Sequence, residues 1–270
     1  MFDGLLTYQN SGPCPQHTPQ QMSIHYARKL TGSRRSVQGN RQLGMVLAFV
    51  AGAANAGGFL AVHQYTSHMT GIVSAMADHL ALGQFRAYLT GFGALLSFIA
   101  GAACSAILVN FARRRRLHSQ FALPLMLEAL LLLAFGALGE RLSHISGLFV
   151  PLTVMLLSFI MGLQNALITK LSHAEIRTTH ITGLVTDIGI ELGKMAYWNS
   201  SDPSLPPVRA NPDRLRIMLQ LAVCFFVGGV SGALGFKQIG YLATLPLALL
   251  LLALAGVPAI DDLSRLWRKR

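Results

Sequence analysis

The segment Tyr65-Thr-Ser-His-Met-Thr-Gly71 has a second version in the same chain, Arg177-Thr-Thr-His-Ile-Thr-Gly183. Each version follows an apolar run that contains an asparagine, Gly52-Ala-Ala-Asn-Ala56 in the first case and Gly162-Leu-Gln-Asn-Ala166 in the second. Each also precedes a short stretch with a helical pattern. The same order of features, found twice, indicates two copies of one structural unit with the His-x-Thr-Gly elements as its paired functional segments.

The composition is typical of a membrane protein. Of the 270 residues, 52% are hydrophobic and 12% are charged, and the charges avoid the long apolar runs. Lys and Arg outnumber Asp and Glu by 22 to 11, but most basic residues lie in loops and tails, where the positive-inside rule accounts for them. We therefore expect no nucleic-acid partner. The 3 cysteines have neither a metal-binding spacing nor a disulfide framework.

Six apolar runs are each long enough to cross the membrane as a helix, which takes about 20 residues. Two shorter or more polar pieces, 69–84 and 180–197, follow the His-x-Thr-Gly elements. If these pieces do not cross, nearly all Lys and Arg fall on one side, including the block Arg113 to Arg116. The positive-inside rule then predicts six spans with both termini in the cytoplasm. The runs lie at 43–62, 88–111, 121–139, 148–169, 217–236 and 240–258.

The predicted fold is all-α, a polytopic transmembrane helical bundle. Three spans per copy is an odd number, so the second copy enters the membrane from the opposite side and the two repeats are inverted. Inverted repeats with short or re-entrant helices at matching positions are typical of secondary transporters. The predicted parts are a disordered basic cytoplasmic tail (1–40), a membrane domain (41–258) with repeat one (43–139) and repeat two (148–258), and a basic cytoplasmic tail (259–270).

Several of these segments resemble a known family. Asn55-Ala-Gly-Gly-Phe59, the two His-x-Thr-Gly segments and Thr186-Asp-Ile-Gly189 are similar to the matching parts of the YoaK-type family of bacterial integral membrane proteins. The resemblance covers about residues 43–258, although Ile72 stands where many members have asparagine. It implies a multi-pass protein of the bacterial plasma (inner) membrane. It implies no substrate, because the domain of the family is of unknown function.

The candidate solute-binding residues come from both copies. A Thr or Ser before a short helix can cap its backbone N–H groups, and a following Gly lets a ligand come close. A helix N-terminus that points into the membrane favours an anionic or strongly polar solute. The alternative is a pair of interfacial helices with ordinary caps. The candidates are Asn55, His68, Thr70, Gly71, Asn165, His180, Thr182 and Gly183.

Three acidic residues are candidates for proton coupling. Asp187 and Glu191 share a helix face with Lys194, and solvated surface charge is the alternative for this face. Glu128 lies inside the third apolar run, where an ionisable group usually faces the bundle interior. A neutral, hydrogen-bonded glutamic acid is the alternative for Glu128.

Small residues recur at helical spacing in the second and fifth runs. Such ridges let helix backbones approach closely, although they are also common in general helix packing. We expect Gly101 and Gly232 to tolerate alanine but not leucine. The ridges are Gly93, Ser97, Gly101 and Ser105 in the second run and Gly228, Ser231, Gly232 and Gly235 in the fifth.

The remaining patterns predict a protein that is not an enzyme and has no cofactor. The histidines beside the two motifs lack the spacing that would place two imidazoles and a carboxylate on one helical face, so no metal is predicted. They can instead titrate near neutral pH and sense it. The predicted function is a carrier or channel for a small polar or anionic solute, with the lipid bilayer as surroundings. A non-transporting sensor or scaffold, an intramembrane enzyme and a homo-oligomer stay open.

Overall fold

The described part of the chain is helical. The computed structural model describes residues 37–115, 117, 120–143, 149–171, 181–199 and 206–267. These residues form α-helices and one 3-10 turn, with no strand among them. The helices are α1 (Val37–Val62), α2 (Met69–Ala81), α3 (Phe85–Arg114), α4 (Ala122–Ser143), α5 (Phe149–Leu171), α6 (Ile181–Ala196), α7 (Pro212–Ile239) and α8 (Thr244–Trp267), with the 3-10 turn at Gly240–Ala243 between the last two.

The helices match the predicted elements, since each predicted run lies largely inside one long helix and α2 and α6 occupy the two shorter pieces. The all-helical fold is thus confirmed, whereas the count of crossings stays a prediction. The predicted tail up to residue 36 lies outside the described residues, and α8 extends into the predicted C-terminal tail. Within the described residues, four helical stretches are long and apolar enough to cross a membrane. They are Arg41–Val62, Phe85–Arg114, Val150–Lys170 and the 45-residue Pro212–Gly256. The apolar part of α4, Ala122–Ala137, is shorter.

Gly240 separates α7 from α8. Its φ of +58° lies in the left-handed region that favours glycine. The turn that follows packs against α4: the ring of Tyr241 meets the ring of Phe135 edge to face at 5.5 Å between centroids, and the Thr244 side chain fills the space beside Gly136. The end of α4 therefore meets the start of α8. Because the two helices also pack along each other, they run antiparallel.

Helices α1 and α7 touch through their backbones. A Cβ atom placed on Gly52 would overlap the carbonyl oxygen of Phe225, and one placed on Gly228 would overlap the carbonyl oxygen of Phe49. Glycine is required at both positions because any side chain would push the helices apart.

The direction of this pair follows from contacts towards its two ends. Near the starts of the helices the Arg41 guanidinium donates to the side chain of Gln220. Near their ends Gly57 lies against the ring of Phe236. Helices α1 and α7 are therefore parallel.

Helices α3 and α5 touch in the same way. A Cβ atom on Gly101 would overlap the carbonyl oxygen of Phe159, and one on Gly162 would overlap the carbonyl oxygen of Phe98. Towards the ends of both helices, Lys170 Nζ donates to the backbone oxygen of Ala106 at 3.3 Å. This pair is parallel as well. In all four cases the phenylalanine precedes a glycine of the same helix by three residues: Phe49-Val-Ala-Gly52, Phe98-Ile-Ala-Gly101, Phe159-Ile-Met-Gly162 and Phe225-Phe-Val-Gly228.

The expectation that Gly101 and Gly232 tolerate alanine is wrong. A Cβ atom on Gly232 would overlap backbone atoms of Ala53, and the one on Gly101 meets the Phe159 carbonyl. Backbone atoms cannot swing aside as a flexible side chain can, so even a methyl group forces the helices apart.

Helices α1 and α5 cross the centre of the bundle in opposite directions. The buried side chain of Gln164 donates from Nε2 to the backbone oxygen of Leu47 at 3.2 Å, and Gly58 lies against the Leu157 side chain. Residue numbers thus rise along α1 as they fall along α5, so the two helices are antiparallel.

These directions define two ends of the bundle. The first end holds α2, the end of α1, the start of α3 and the Gly240 turn. The second end holds α6, the starts of α1 and α7, and the ends of α3 and α5. Among the described residues of α1 to α7 and their connections, the basic side chains gather at the second end, with Arg86 and Lys237 at the first and Arg41, Arg113, Arg114, Arg115, Lys170, Lys194, Arg209, Arg214 and Arg216 at the second.

We predict that Gly101→Ala and Gly228→Ala each lower the free energy of unfolding by about 1–3 kcal/mol, the usual range for overpacking. Gly256→Ala in α8 is the matched control, because a Cβ atom there meets nothing within 4 Å. Thermal unfolding of the purified variants in detergent measures the effect. Equal melting temperatures for all three variants would show that the backbones do not touch at these glycines.

Candidate functional site

Asn55 ties the first His-x-Thr-Gly segment to α1. Its side-chain oxygen accepts hydrogen bonds from Ser67 Oγ at 2.8 Å and from Ser67 N at 3.4 Å. Asn55 is 9% exposed and the neighbouring Thr66 is 1% exposed. The expected helix cap is not found in this copy, because α2 begins after His68 without a side-chain capping bond. The polar side chains of the motif hold the loop on α1 instead.

Gly71 leaves room for the ring of His68. A Cβ atom at Gly71 would overlap the imidazole, which folds back over the first turn of α2. Thr70 lies on the same turn and is exposed. The glycine of the motif thus sets the position of its histidine.

A cleft of about 450 Å³ opens beside this turn, between α2, α3 and the loop after α1. Three imidazoles line it, from His63, His68 and His79, and the lining contains no carboxylate. We call it the imidazole cleft. Gly71, Ala75 and His79 lie on the side of α2 that lines it. The full lining is Val62, His63, Gln64, Tyr65, His68, Gly71, Ile72, Ala75, Met76, His79, Ala87, Thr90 and Gly91.

The backbone at His63 is strained. Its φ is +54°, and no other non-glycine residue in the described ranges has a positive φ. The conformation ends α1, where His63 N donates to the oxygen of Phe59 at 2.7 Å, and the Phe59 ring stacks on Tyr65 at 4.5 Å between centroids. Such strain persists only where the surroundings hold it, and it clusters at functional sites.

The second motif lies elsewhere in the bundle. Thr182 and Gly183 begin α6, which packs on α7, and neither lines the imidazole cleft. His180 lies outside the described residues. Asn165 follows Gln164, whose side-chain amide bonds to the backbone of Leu47 in α1, so Asn165 lies near the level of Leu47. Asn55 lies eight residues further along α1, a distance of about 12 Å. The two asparagines are therefore at different depths, and one site shared by both motifs stays a prediction.

The acidic face of α6 docks this helix on α7. Glu191 is 2% exposed. It accepts hydrogen bonds from Lys194 Nζ at 2.9 Å and from the backbone N of Asn211 at 2.8 Å. The Asn211 side chain in turn caps α7 by accepting from Arg214 N at 3.0 Å. The hydrogen bond from the Asn211 backbone, and after it the bond from Lys194, lowers the pKa of Glu191, because both favour the charged carboxylate.

Asp187 lies one turn before Glu191 and pairs with Arg214 of α7 at 3.3 Å, on a half-exposed surface. The predicted shared face of Asp187, Glu191 and Lys194 is thus confirmed. Its bonds favour a structural role, and proton coupling by the two carboxylates stays a prediction.

Glu128 faces the interior of the bundle, as expected. It is fully buried in α4, and neither carboxylate oxygen has a hydrogen-bond partner among the described residues. Three further buried polar atoms of α3 and α5 also lack one there: Ser105 Oγ, Ser158 Oγ and Gln164 Oε1. Unpaired polar groups at this depth are costly and often mark function. Proton transfer by Glu128 stays a prediction.

Sequence reasoning missed three features of the site. Ser67 bonds to Asn55, Tyr65 stacks on Phe59, and Gln164 bonds across to α1. The sequence does contain a signal for the last of these, because Gln164 is a polar residue inside an apolar run, next to Asn165. Nowhere in the described ranges do three or more His, Cys, Asp or Glu side chains form a group that could hold a metal ion.

An all-helical chain with several long apolar helices and interior polar groups is a transmembrane protein. A family model described as "Protein of unknown function (DUF1275)" matches residues 43–257, and the chain belongs to this family. The chain is 30% identical over 147 residues to the UPF0700 transmembrane protein YoaK of Bacillus subtilis (strain 168), over 53% of this chain and 63% of that protein. The match thus covers less than two thirds of that relative's length. The family match confirms the resemblance to the YoaK-type family. No solved structure matches the chain.

We predict that Asn55→Ala frees the first motif from α1. The lost bonds to Ser67 stabilise the loop by about 0.5–1.5 kcal/mol, so the backbone amides of residues 66–69 should exchange with deuterium up to about tenfold faster. Asn165→Ala is the control, because that side chain makes no bond to the first motif. Unchanged exchange in Asn55→Ala would refute the tie.

We predict that acid releases α6 from α7. Because the folded-state pKa of Glu191 is lowered from its ordinary 4.5, its stabilisation is full above that value and is lost as pH falls through the folded pKa. Fluorescence of Trp198, in a Trp267→Phe background, reports the release as a transition below pH 4.5. Glu191→Gln should abolish the transition and Asp187→Asn should keep it. An identical transition in Glu191→Gln would assign it to another group.

Proposed function

We propose that the protein is a secondary transporter or channel for a small polar or anionic solute, built from two inverted three-span repeats. The packing of α1 with α7 and of α3 with α5 supports the repeats. When each residue of one sequence copy is replaced by its counterpart in the other copy, the α1–α7 pair becomes the α3–α5 pair. Gly52 and Phe49 of α1 correspond to Gly162 and Phe159 of α5, and the same number of residues separates both correspondences. Helices α1 and α5 are equivalent in sequence yet antiparallel, as inverted repeats require.

Six crossings fit the lengths of the helices. The 45-residue apolar stretch from α7 to α8 is broken by the turn at Gly240 and is long enough for two crossings of about 20 residues each. Helix α4 has 22 residues, or about 33 Å, which spans the hydrocarbon core. The cluster of basic side chains at the second end fits a cytoplasmic location for that end.

Both short helices have their N-termini directed towards the bundle interior. In α2, Met76 lies against Gly91 inside α3, while His79, nearer the end of α2, bonds to Gln84 just before α3 at 2.8 Å. Helix α2 thus runs from the interior of the bundle to its first end.

Helix α6 runs the same way with respect to α7. Glu191 bonds to Asn211 before α7, and Leu184, nearer the start of α6, belongs to one buried cluster with Leu221 of α7. The positive N-terminal ends of both short helices therefore favour a negatively charged solute.

The imidazole cleft is the observation that carries the choice of solute. It extends along α2 from the N-terminal turn to His79, holds three imidazoles and no carboxylate in its lining, and is large enough for a small metabolite at about 450 Å³. Imidazole N–H groups can donate hydrogen bonds to the oxygens of an anion. We therefore propose that a carboxylate or phosphate anion binds in this cleft at His68 before it crosses, and that it reaches the exposed Thr70 beside the cleft.

We predict protein-dependent anion uptake into proteoliposomes, measured with radiolabelled phosphate and small carboxylates. Thr70→Val removes a hydroxyl at the same volume and should weaken apparent affinity by about 5- to 150-fold. His68→Gln removes one of the three imidazoles of the cleft and should also weaken the apparent affinity. Thr169→Val is the matched control, since this exposed threonine bonds only within α5, to the oxygen of Asn165. No uptake of any anion by folded, reconstituted protein would contradict the proposal.

A further inference from the structure

A second concave surface lies at the second end, between the starts of α1 and α7. It is an open groove of about 500 Å³ with a mostly apolar lining. Leu219 and Val223 on its wall are 47% and 58% exposed. We call it the α1–α7 groove. Its lining is Met45, Pro212, Leu215, Arg216, Leu219, Gln220, Val223 and Cys224.

Arginine gives the groove its charge. Arg216 lines it and has no acidic partner within the described part of the chain, and Asp213, one turn earlier on α7, does not pair with it. Arg41 of α1 is not part of the lining but reaches the wall of the groove, where it donates to the neutral side chain of Gln220. Arg214 differs, because it is already paired with Asp187.

Helix packing does not require these arginines. The α3–α5 pair has the same backbone contacts but lacks the arginines. Leu89 of α3 stands at the position of Arg216 in α7, and Pro151 of α5 stands at the position of Arg41 in α1. The two guanidinium groups therefore belong to this end of the bundle and not to the repeated architecture.

We infer that the α1–α7 groove binds an anionic phospholipid. The phosphate accepts from Arg216 and Arg41, while an acyl chain covers Leu219 and Val223. Basic pockets between membrane helices bind anionic headgroups in this manner. A soluble anion would pair with the arginines but leave the apolar wall uncovered, so the combination of charge and apolar surface selects a lipid.

Native mass spectrometry of the full chain in detergent tests this inference, with phosphatidylglycerol and phosphatidylcholine of identical acyl chains as probes. We expect phosphatidylglycerol to bind more tightly. Arg216→Gln and Arg41→Gln should each weaken its binding about fivefold and leave phosphatidylcholine unchanged. Arg209→Gln, an exposed arginine outside the groove, is the matched control and should bind like the unmodified protein.

Val223→Trp fills the groove while both arginines remain, and it should also weaken binding of phosphatidylglycerol. Equal binding of the two lipids, or unchanged binding by Arg216→Gln, would overturn the inference. Displacement of phosphatidylglycerol by free glycerol phosphate, with no effect of Val223→Trp, would overturn it in favour of a soluble-anion site. Melting temperatures of the variants separate loss of binding from loss of folding.

Discussion

The contact of glycine with a backbone carbonyl, repeated along two pairs of helices, is the constraint on which the arrangement of helices depends. Lipid gives no hydrophobic drive for helices to associate, so close van der Waals contact and weak Cα–H···O bonds must supply it. Gly52 and Gly228 bring α1 to α7, and Gly101 and Gly162 bring α3 to α5. Both contacts join helices of different sequence copies. The close contacts therefore join helices that are far apart in the chain.

The short helices inherit their positions from these pairs, since α2 lies on α3 and α6 lies on α7. At the first end, the bond of Asn55 to Ser67 then sets the loop from which His68 faces the imidazole cleft. At the second end, Glu191 joins α6 to the N-terminal cap of α7. The two short helices are thus held by different chemistry: neutral hydrogen bonds to the preceding helix for α2, and a buried carboxylate for α6.

The sequence predicted the helices and the repeated order of asparagine and motif, because both follow from local patterns such as apolar run length, but it did not predict the bond that joins Asn55 to Ser67. It predicted close approach at Gly101 but not how close, since spacing reveals a small-residue ridge without revealing that a backbone carbonyl faces it. The meeting of His63, His68 and His79 was missed because the strained turn at His63 and the return of α2 to the first end bring them together. The bond between Glu191 and Asn211 was missed because the donor is the backbone N–H of Asn211, and a pattern of side chains does not reveal backbone donors.

The inverted arrangement is tested most directly by the side of the membrane on which each short helix ends. Leu82 follows α2 and Trp198 follows α6, and they are 70% and 91% exposed. Single cysteines at these positions, with Cys14, Cys104 and Cys224 replaced, can be labelled by an impermeant maleimide in right-side-out and inside-out vesicles. Inverted repeats predict labelling of Leu82→Cys from outside only and of Trp198→Cys from inside only. Labelling of both from the same side would contradict the account.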